Sequence, residues 1–379
     1  MKKTLKIYLP LTILLVLVFL FIQPNPYFRR ALIYNTANIT DYKIFEERNI
    51  ESGNYQPWKL SPKYNTYSLT KNDVNTLEEY KTVAYLVIKD TNIVFESYWD
   101  NYSTDSKSSS FSMAKSIISL LVGIAIDEGL INSVNDPVSK YIPEFENKKY
   151  DITIRNLLTM SSGLKWNESY YNPFSVTTKA YYGKNLNKLA IKAKSIHPPS
   201  EQFDYITANP QLLSIILKKV THKTVSEYAS EKLWKPLGAK NNASWSLDRK
   251  DGDEKAFCCF NSNARDFARI GQLVLNNGVW NGKQIISQKY LNDALMPASY
   301  EMDDNNNPVD FYGYQWWICN YKNSAIYYAR GILGQYIIVI PDQNMVVVRL
   351  GHKRSKERTN HHPNDLYRYI DLALNITNK

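Results

Sequence analysis

The chain has 379 residues, of which 44% are hydrophobic and 22% charged, and its formal net charge is +10. This composition is typical of a folded globular protein and excludes a disordered chain, a fibre and a multi-span membrane protein. The basic residues are dispersed and accompany no nucleic-acid signature, so we do not expect nucleic-acid binding. Three cysteines without a CxxC or Cys/His spacing argue against a disulfide-built scaffold and against a metal site.

The N-terminus has the charge order of an export signal. Lys2, Lys3 and Lys6 precede an apolar run over residues 7–22, and no small-residue cleavage site or lipobox cysteine follows it. We therefore predict that residues 1–26 form an uncleaved membrane anchor, with the rest of the chain outside the cytoplasmic membrane. A cleaved signal peptide is the alternative.

The next part of the chain predicts an extension, a hairpin and a buried helix. Residues 27–75 lack clear periodicity and predict an irregular extension. Two β-rich runs, 82–88 and 93–99, are separated by four turn-forming residues and predict a hairpin. Residues 113–126 are apolar almost all round and end shortly before Gly129, which predicts a buried helix with a glycine cap.

The second half of the chain predicts helices first and strands later. From about 136 to 265 the signals are mostly helical, with Pro and Gly turns between them, which predicts a helical subdomain. Strand-like runs return at 324–330, 336–340 and 345–350, before a last helix near 364–376. The early and late strands are expected to share one sheet, with the helical block inserted between them.

One pattern in the chain suggests catalytic chemistry. Ser112 and Lys115 are three residues apart, and on a helix this spacing places a hydroxyl and an amine on one face. A serine hydroxyl needs a neighbouring group to take its proton, and a lysine in an apolar surround can assist. The pattern alone is unspecific, because it also occurs at 68–71 and 162–165, and a helix-start serine with a surface lysine is the alternative.

The segment 111–116 resembles the nucleophile motif of the penicillin-recognising serine hydrolases. This group contains class C β-lactamases, low-molecular-weight DD-peptidases, related esterases and 6-aminohexanoate-oligomer hydrolases. Six further blocks resemble family segments in the same order: 136–143, 152–164, 203–207, 266–273, 312–317 and 331–335. The resemblance covers about residues 80–375 and implies a hydrolase domain at 76–379. It also implies an α+β, β-lactamase/transpeptidase-like fold, in which an antiparallel sheet is flanked by helices and carries the inserted helical subdomain.

The resemblance also implies roles for individual residues. Ser112 would be the acylated nucleophile, Lys115 its proton partner, and Tyr205 the general base that also protonates the leaving group. The backbone N–H groups of Ser112 and of Ile332, which follows the third motif's Gly331, would form the oxyanion hole. No cofactor and no metal are implied, and the substrate would be a small molecule or peptide-like.

Two positions depart from the family pattern. Thr207 stands where many relatives carry an asparagine amide, and Ala329 stands where β-lactamases and peptidases carry a cation that binds a substrate carboxylate. Strand alternation predicts that Arg330 points to the opposite face from Ala329 and Gly331, so it would not replace that charge. The third motif, with Ala329, Gly331, Gly334 and Gln335, resembles the 6-aminohexanoate-oligomer hydrolase and esterase branch more closely than the true β-lactamases.

We therefore predict a membrane-anchored serine hydrolase that cleaves an ester or an amide. The alternatives are a β-lactamase or DD-peptidase acting on cell-wall peptide, and a non-catalytic envelope module that binds peptidoglycan or a partner protein. Two local alternatives also stay open. Tyr205 could simply pack ahead of a helix that starts at Asn209–Pro210, and Trp316 and Trp317 could fill core instead of lining a substrate cleft.

Overall fold

The computed structural model describes residues 10–12, 14, 15, 18, 26–170 and 172–378. The anchor predicted at residues 1–26 therefore lies largely outside the described residues. Within the part of the chain that is described, no helix has both the length and the apolar character needed to cross a membrane.

The described chain alternates short helices with strands. The α-helices are α1 (Tyr27–Tyr34), α2 (Lys71–Glu79), α3 (Met113–Asp127), α4 (Ile154–Leu158), α5 (Val176–Tyr182), α6 (Leu186–Ile191), α7 (Ala208–Thr221), α8 (Val225–Ala229), α9 (Ala264–Leu275), α10 (Gln288–Ala294) and α11 (Asn364–Thr377). The strands are β1 (Glu47–Ile50), β2 (Lys59–Leu60), β3 (Thr82–Lys89), β4 (Asn92–Tyr98), β5 (Ser108–Ser109), β6 (Ala243–Ser246), β7 (Phe260–Ser262), β8 (Val279–Trp280), β9 (Lys283–Gln284), β10 (Trp317–Tyr321), β11 (Ser324–Gly331), β12 (Gln335–Ile340), β13 (Met345–Gly351), β14 (Arg358–Thr359) and β15 (His362–Pro363).

A seven-stranded sheet forms the centre of the molecule, in the order β10-β11-β12-β13-β3-β4-β2. Neighbouring strands are antiparallel except at the edge, where β2 runs parallel to β4. The late strand β13 pairs with the early strand β3, with Val347 opposite Val87. The predicted hairpin, the late strands and their shared sheet are thus confirmed, and so is the α+β fold class.

Helices cover both faces of this sheet. The side chains of β3 and β13 are almost all buried, because α3 and α9 pack on one face and α11 on the other. Gly271 lets α9 approach closely, since a Cβ atom there would lie 2.6 Å from the Val346 side chain. Helix α3 itself is buried over almost its whole length, and Gly129 beyond its end has a φ of +71°. The prediction of a buried helix with a glycine cap is therefore confirmed.

A second sheet corrects two predictions. Its order is β1-β6-β7-β5, so β6 and β7 are strands inside the 136–265 block that was expected to be helical. Strand β1, together with α1, β2 and the first residues of α2, lies in the 27–75 extension that was expected to be irregular. These strands have two to four residues, too few to show a period, and they become strands through pairing with distant segments, as Glu47 does with Ser246.

Candidate active site

The hydroxyl of Ser112 and the amine of Lys115 form a buried pair at the start of α3. Lys115 Nζ donates a hydrogen bond to Ser112 Oγ at 2.9 Å and another to the backbone carbonyl of Phe257 at 2.9 Å. Ser112 occupies the N-cap position of α3, yet its side chain makes no capping hydrogen bond. Lys115 is only 1% exposed and Ser112 8%. The hydroxyl is thus oriented toward the lysine and not toward the helix end.

The two other Ser-x-x-Lys sequences lack this arrangement. Lys71 and Lys165 are both exposed at the surface. The hydroxyl of Ser162 donates to Asn209 Oδ1 at 2.7 Å instead of contacting its lysine. The alternative of a helix-start serine with a surface lysine is therefore wrong for Ser112. Burial of the lysine, which the spacing alone does not reveal, distinguishes the three sites.

The turn that carries Ser112 is held by the second sheet. Ser110 donates its N–H to the carbonyl of Phe260 at 2.8 Å, and its hydroxyl accepts the N–H of Phe260 at 3.2 Å. Phe111, which lies between Ser110 and the nucleophile Ser112, adopts a φ of +45°. A left-handed backbone costs a bulky residue about 1–2 kcal/mol. Strand pairing on one side and the buried helix on the other hold Phe111 in this conformation and so fix the direction of the Ser112 side chain.

Tyr205 lies beside the serine–lysine pair. The centre of its ring is 4.9 Å from Lys115 Nζ. The ring also packs against Trp317, with 5.5 Å between centroids. Trp316 and Trp317 are both buried, so they fill core, and Trp317 supports Tyr205 from behind. Helix α7 begins at Ala208 with Thr207 as its N-cap, so the N-cap predicted at Asn209 is wrong, but Tyr205 does lie just ahead of a helix start.

The end of β11 packs directly on the nucleophile turn. A Cβ atom on Gly331 would lie 2.3 Å from the carbonyl oxygen of Ser110, so only glycine permits this approach. Within the described residues, the backbone N–H groups of Ser112 and Ile332 have no hydrogen-bond acceptor. Two free N–H donors next to a serine hydroxyl are what an oxyanion hole requires. The predicted pair of donors is therefore brought to one place.

Thr207 is directed toward a neighbouring carboxylate. Its N–H and its hydroxyl each donate to the side chain of Glu168 at 2.7 Å, and Thr207 is fully buried. Thr207 is not among the residues that line the cleft beside Ser112, whereas Glu168 is. The sequence analysis missed Glu168, since no motif surrounds it. The structure thus places a carboxylate at this side of the cleft, with Thr207 positioning it.

Ala329 and Arg330 point to opposite faces of the central sheet. Ala329 is buried in the core that contains α3, and the Arg330 guanidinium lies 3.4 Å from the centre of the Trp317 ring on the other face. The face reversal predicted for Arg330 is confirmed. Arg330 nevertheless lines the cleft, because it is the next-to-last residue of β11 and the cleft opens at that strand end.

The cleft has a volume of about 800 Å³. Its lining residues combine the reactive groups with a basic loop: Ser112, Glu168, Ser169, Tyr170, Tyr205, Arg330, Gly331, Ile332, Leu333, His352, Lys353, Arg354, Ser355, Lys356 and Arg358. A second cavity of about 610 Å³ shares Tyr170, Ile332, Leu333, His352 and Lys353 with it and extends to residues 36–38. An elongated substrate can therefore be accommodated. Among the described residues, no group of three or more His, Cys, Asp or Glu side chains could hold a metal ion.

A disulfide between adjacent cysteines lies next to the lysine site. Cys258 and Cys259 are bonded to each other and are both buried. The pair directly follows Phe257, whose carbonyl accepts from Lys115, and precedes Phe260, which holds Ser110. The spacing of the three cysteines did not predict this bond. The disulfide therefore lies within the continuous segment 257–260, between the two residues that contact Lys115 and Ser110.

Comparison with known proteins finds relatives in sequence. The sequence model of the Beta-lactamase family matches residues 72–371. A 6-aminohexanoate-dimer hydrolase from Paenarthrobacter ureafaciens is 30% identical over 290 residues, which are 72% of this chain and 73% of that protein. The protein flp from Staphylococcus aureus strain MW2 is 31% identical over 133 residues, but only 25% of its length is covered.

Solved structures share the fold at lower identity. A Bacillus anthracis protein, provisionally assigned as a 6-aminohexanoate-dimer hydrolase, superposes with a TM-score of 0.72 and 21% identity, covering 90% of this chain and 94% of that one. A family VIII carboxylesterase superposes with a TM-score of 0.63 and 16% identity, covering 85% and 99%. An octameric penicillin-binding protein homologue from Pyrococcus abyssi has a TM-score of 0.59 and 20% identity, covering 80% and 76%.

Proposed function

Because this chain belongs to the beta-lactamase family, we propose that it is a serine hydrolase that cleaves an ester or an amide through an acyl-enzyme on Ser112. One observation carries the proposal: Ser112 Oγ accepts a hydrogen bond from a buried Lys115, inside a cleft that Tyr205 also lines. A buried amine next to a serine hydroxyl has the geometry of an activated nucleophile.

Acylation requires a proton acceptor and an oxyanion site. Ser112 Oγ attacks the substrate carbonyl carbon and transfers its proton to the Lys115/Tyr205 pair. The negative charge that develops on the carbonyl oxygen is stabilised by the N–H groups of Ser112 and Ile332. The bond to the leaving group then breaks, the leaving group receives a proton from Tyr205, and an ester on Ser112 remains.

Deacylation uses the same groups in reverse. A water molecule attacks the Ser112 ester after Tyr205 takes one of its protons, and the same two N–H groups stabilise the second oxyanion. When this intermediate collapses, Ser112 Oγ regains its proton through Lys115. The products are a carboxylic acid and the alcohol or amine released in the first step, and no cofactor takes part.

We propose a substrate closer to those of the 6-aminohexanoate-oligomer hydrolase and esterase branch than to β-lactams. Ala329 supplies no cation at the position where β-lactamases and peptidases carry one, and this supports the assignment. The relative from Paenarthrobacter ureafaciens supports it as well. The cleft and the adjoining cavity together have room for a linear substrate.

An uncharged fluorophosphonate probe tests this proposal without knowledge of the substrate. We expect the full chain to gain the mass of one probe, and we expect Ser112→Ala to gain none and to lose all ester turnover. Ser162→Ala is the matched control, because Ser162 belongs to an equivalent sequence pattern but bonds to Asn209. A folded wild-type protein that never reacts, or a Ser112→Ala protein that keeps its activity, would refute the assignment.

We also propose that residues 1–26 anchor the protein in the cytoplasmic membrane, with the hydrolase domain outside. The charge order of Lys2, Lys3 and Lys6 before the apolar run supports this topology. Fractionation with carbonate washing should leave the full chain in the membrane, and protease added to spheroplasts should digest the domain. N-terminal sequencing that starts near residue 27 would instead establish a cleaved signal peptide.

A further inference from the structure

The loop between β13 and α11 brings a group of cations to the cleft. With the end of β11 it supplies five cationic side chains to the lining, which we call the basic wall: Arg330, Lys353, Arg354, Lys356 and Arg358. Glu168 is the one carboxylate among the lining residues that the structure describes. It already accepts hydrogen bonds from the buried Thr207, so it is held on its own side of the cleft.

The basic wall is not neutralised by the protein. In the described part of the chain, no carboxylate oxygen lies within 4 Å of any of its five cationic groups. Asp365 attracts Arg354 from the start of α11, but its side chain accepts from the N–H of Ser355 and from the hydroxyl of Tyr336. Burial, together with the nearby Arg330 cation, lowers the pKa of Arg354. Like charges have therefore been gathered here, and none of them forms an ion pair within the described residues.

The loop is anchored on both sides of Arg354. The buried Arg349 donates to the carbonyls of Gly334, at 2.7 Å, and Lys353, at 3.0 Å, and so joins the loop to the turn after Ile332. On the other side, Ser355 N–H bonds to Asp365. These bonds hold the loop backbone next to the turn that contains Ile332, whose N–H is a predicted oxyanion donor. The basic wall is therefore preorganised beside the reactive carbonyl.

Arg330 is oriented by an aromatic ring. Its guanidinium lies over Trp317, the ring that also supports Tyr205. Its Nη1 donates to the backbone carbonyl of His361 at 3.4 Å. Stacking on a ring leaves the other N–H groups in the guanidinium plane, and a planar guanidinium edge matches the two oxygens of a carboxylate or phosphate.

We propose that the basic wall binds an anionic group, a carboxylate or a phosphate, on the substrate that Ser112 cleaves. This inference rests on the proposed hydrolase function and adds the charge class of its substrate. Ala329 provides no cation for the substrate. Arg330 on β11 and the loop after β13 provide cations in its place. Neutral and cationic esters are then poorer substrates than anionic esters of the same size.

A set of phenyl esters tests the proposal in the full chain. The neutral reference is 4-carbamoylphenyl butyrate. The anionic esters are 4-carboxyphenyl butyrate, 4-(phosphonooxy)phenyl butyrate and 4-carbamoylphenyl hemisuccinate, which place a carboxylate or phosphate on either side of the ester. We expect kcat/KM for at least one anionic ester to exceed the reference by about tenfold or more, as charge-assisted hydrogen bonds predict. The preferred ester identifies the anion.

Arg354→Gln should remove most of this preference, lowering the ratio of anionic to neutral kcat/KM about tenfold. Lys289→Gln removes the same charge from an exposed position outside the cleft lining and should keep the ratio. Equal kcat/KM for all four esters, or an unchanged ratio in Arg354→Gln, would overturn the proposal. Labelling by the uncharged probe tests the hydrolase function separately from anion binding. An enzyme that is labelled but does not prefer anionic esters disproves only anion binding by the basic wall.

A binding measurement does not depend on turnover. Succinate and inorganic phosphate should be compared as additives in thermal unfolding, with sodium chloride at equal ionic strength as the reference. We expect at least one of them to raise the Tm of the wild-type chain and of Lys289→Gln, and not that of Arg354→Gln. Equal Tm shifts in all three proteins would contradict an anion site at the basic wall even if the protein has no hydrolase activity.

Discussion

The two sides of the cleft treat charge in opposite ways. On the reactive side, the Lys115 amine is buried and donates to two oxygens of the protein. In the basic wall, by contrast, no cationic group has a carboxylate oxygen of the described chain within 4 Å. A polar group that water cannot reach must be satisfied by the protein, whereas a cation at an open cleft can be hydrated until a ligand replaces the water. The reactive side is thus complete in the free protein, and the basic wall is completed by a substrate.

The largest effect is expected from removing the buried amine. Lys115→Met keeps the volume and apolar character of the side chain but leaves Ser112 without its proton partner. We expect ester turnover to fall by about 10³-fold or more, in the upper range of contributions from proton-transfer groups. The substitution also removes the hydrogen bond to the buried carbonyl of Phe257, so we expect the free energy of unfolding to fall by about 1–3 kcal/mol while the protein still folds.

Lys165→Met is the matched control, since Lys165 occupies the same motif position at the surface. It should retain wild-type turnover. If Lys115→Met lost its activity only because it no longer folded, the lysine would be a structural residue. The contrast between the two sides of the cleft would then fail.

Tyr205→Phe should reduce turnover by at least about a hundredfold. The ring and its packing on Trp317 remain, so the loss reports the hydroxyl that accepts and returns the proton. The effect should appear in kcat and leave KM within about threefold, and single-turnover measurements should show slow acylation. Tyr327→Phe, on β11 outside the cleft lining, should behave as wild type. Equal activity of Tyr205→Phe and wild type would assign the proton transfer to Lys115 alone.

Glu301 shows what happens to a buried ionisable group that has no partner of opposite charge. It is a buried carboxyl without an ion pair in the described residues. It lies fully buried beside the hydroxyls of Ser161 and Thr159. Burial raises the pKa of Glu301 from 4.5 to about 7, and the two hydroxyls offset only part of this rise. Where neither water nor a cation compensates the charge, the group keeps its proton instead.

This pKa shift predicts a pH-dependent stability. Between pH 4.5 and pH 7 the folded state holds one proton more than the unfolded state, so the free energy of unfolding falls as pH rises through this window, by about 3 kcal/mol in total. Glu301→Gln should lack this loss and gain about 3 kcal/mol over wild type between pH 4 and pH 8 in urea unfolding. Glu146→Gln, at the surface, is the control. Parallel pH profiles for Glu301→Gln and wild type would contradict the buried, protonated carboxyl.

Local patterns were sufficient for the elements near the nucleophile. Residues 82–99 are rich in β-branched and aromatic side chains around a short polar turn, and they form the β3–β4 hairpin. The apolar run after Ser112 forms α3 and ends before Gly129. These elements are predictable because their side-chain periodicity, turn residues and burial all favour the same structure.

Other features required contacts between distant segments. Strands β1, β6 and β7 are short, and each exists because another part of the chain pairs with it. Glu168 faces the cleft because Thr207, 39 residues later, donates two hydrogen bonds to it. No local pattern carries this information, because pairing and burial depend on where the backbone returns.

The sequence by itself determined the family, the order of the motifs and the identities of Ser112, Lys115 and Tyr205 as candidates. Only the tertiary structure decided that Lys115 is buried while Lys71 and Lys165 are exposed, and that Arg330 lines the cleft from the opposite face of the sheet. The physical reason is that a motif specifies which chemical groups are present. Their protonation and their partners depend on solvent exposure and neighbouring charge, which are properties of the folded chain.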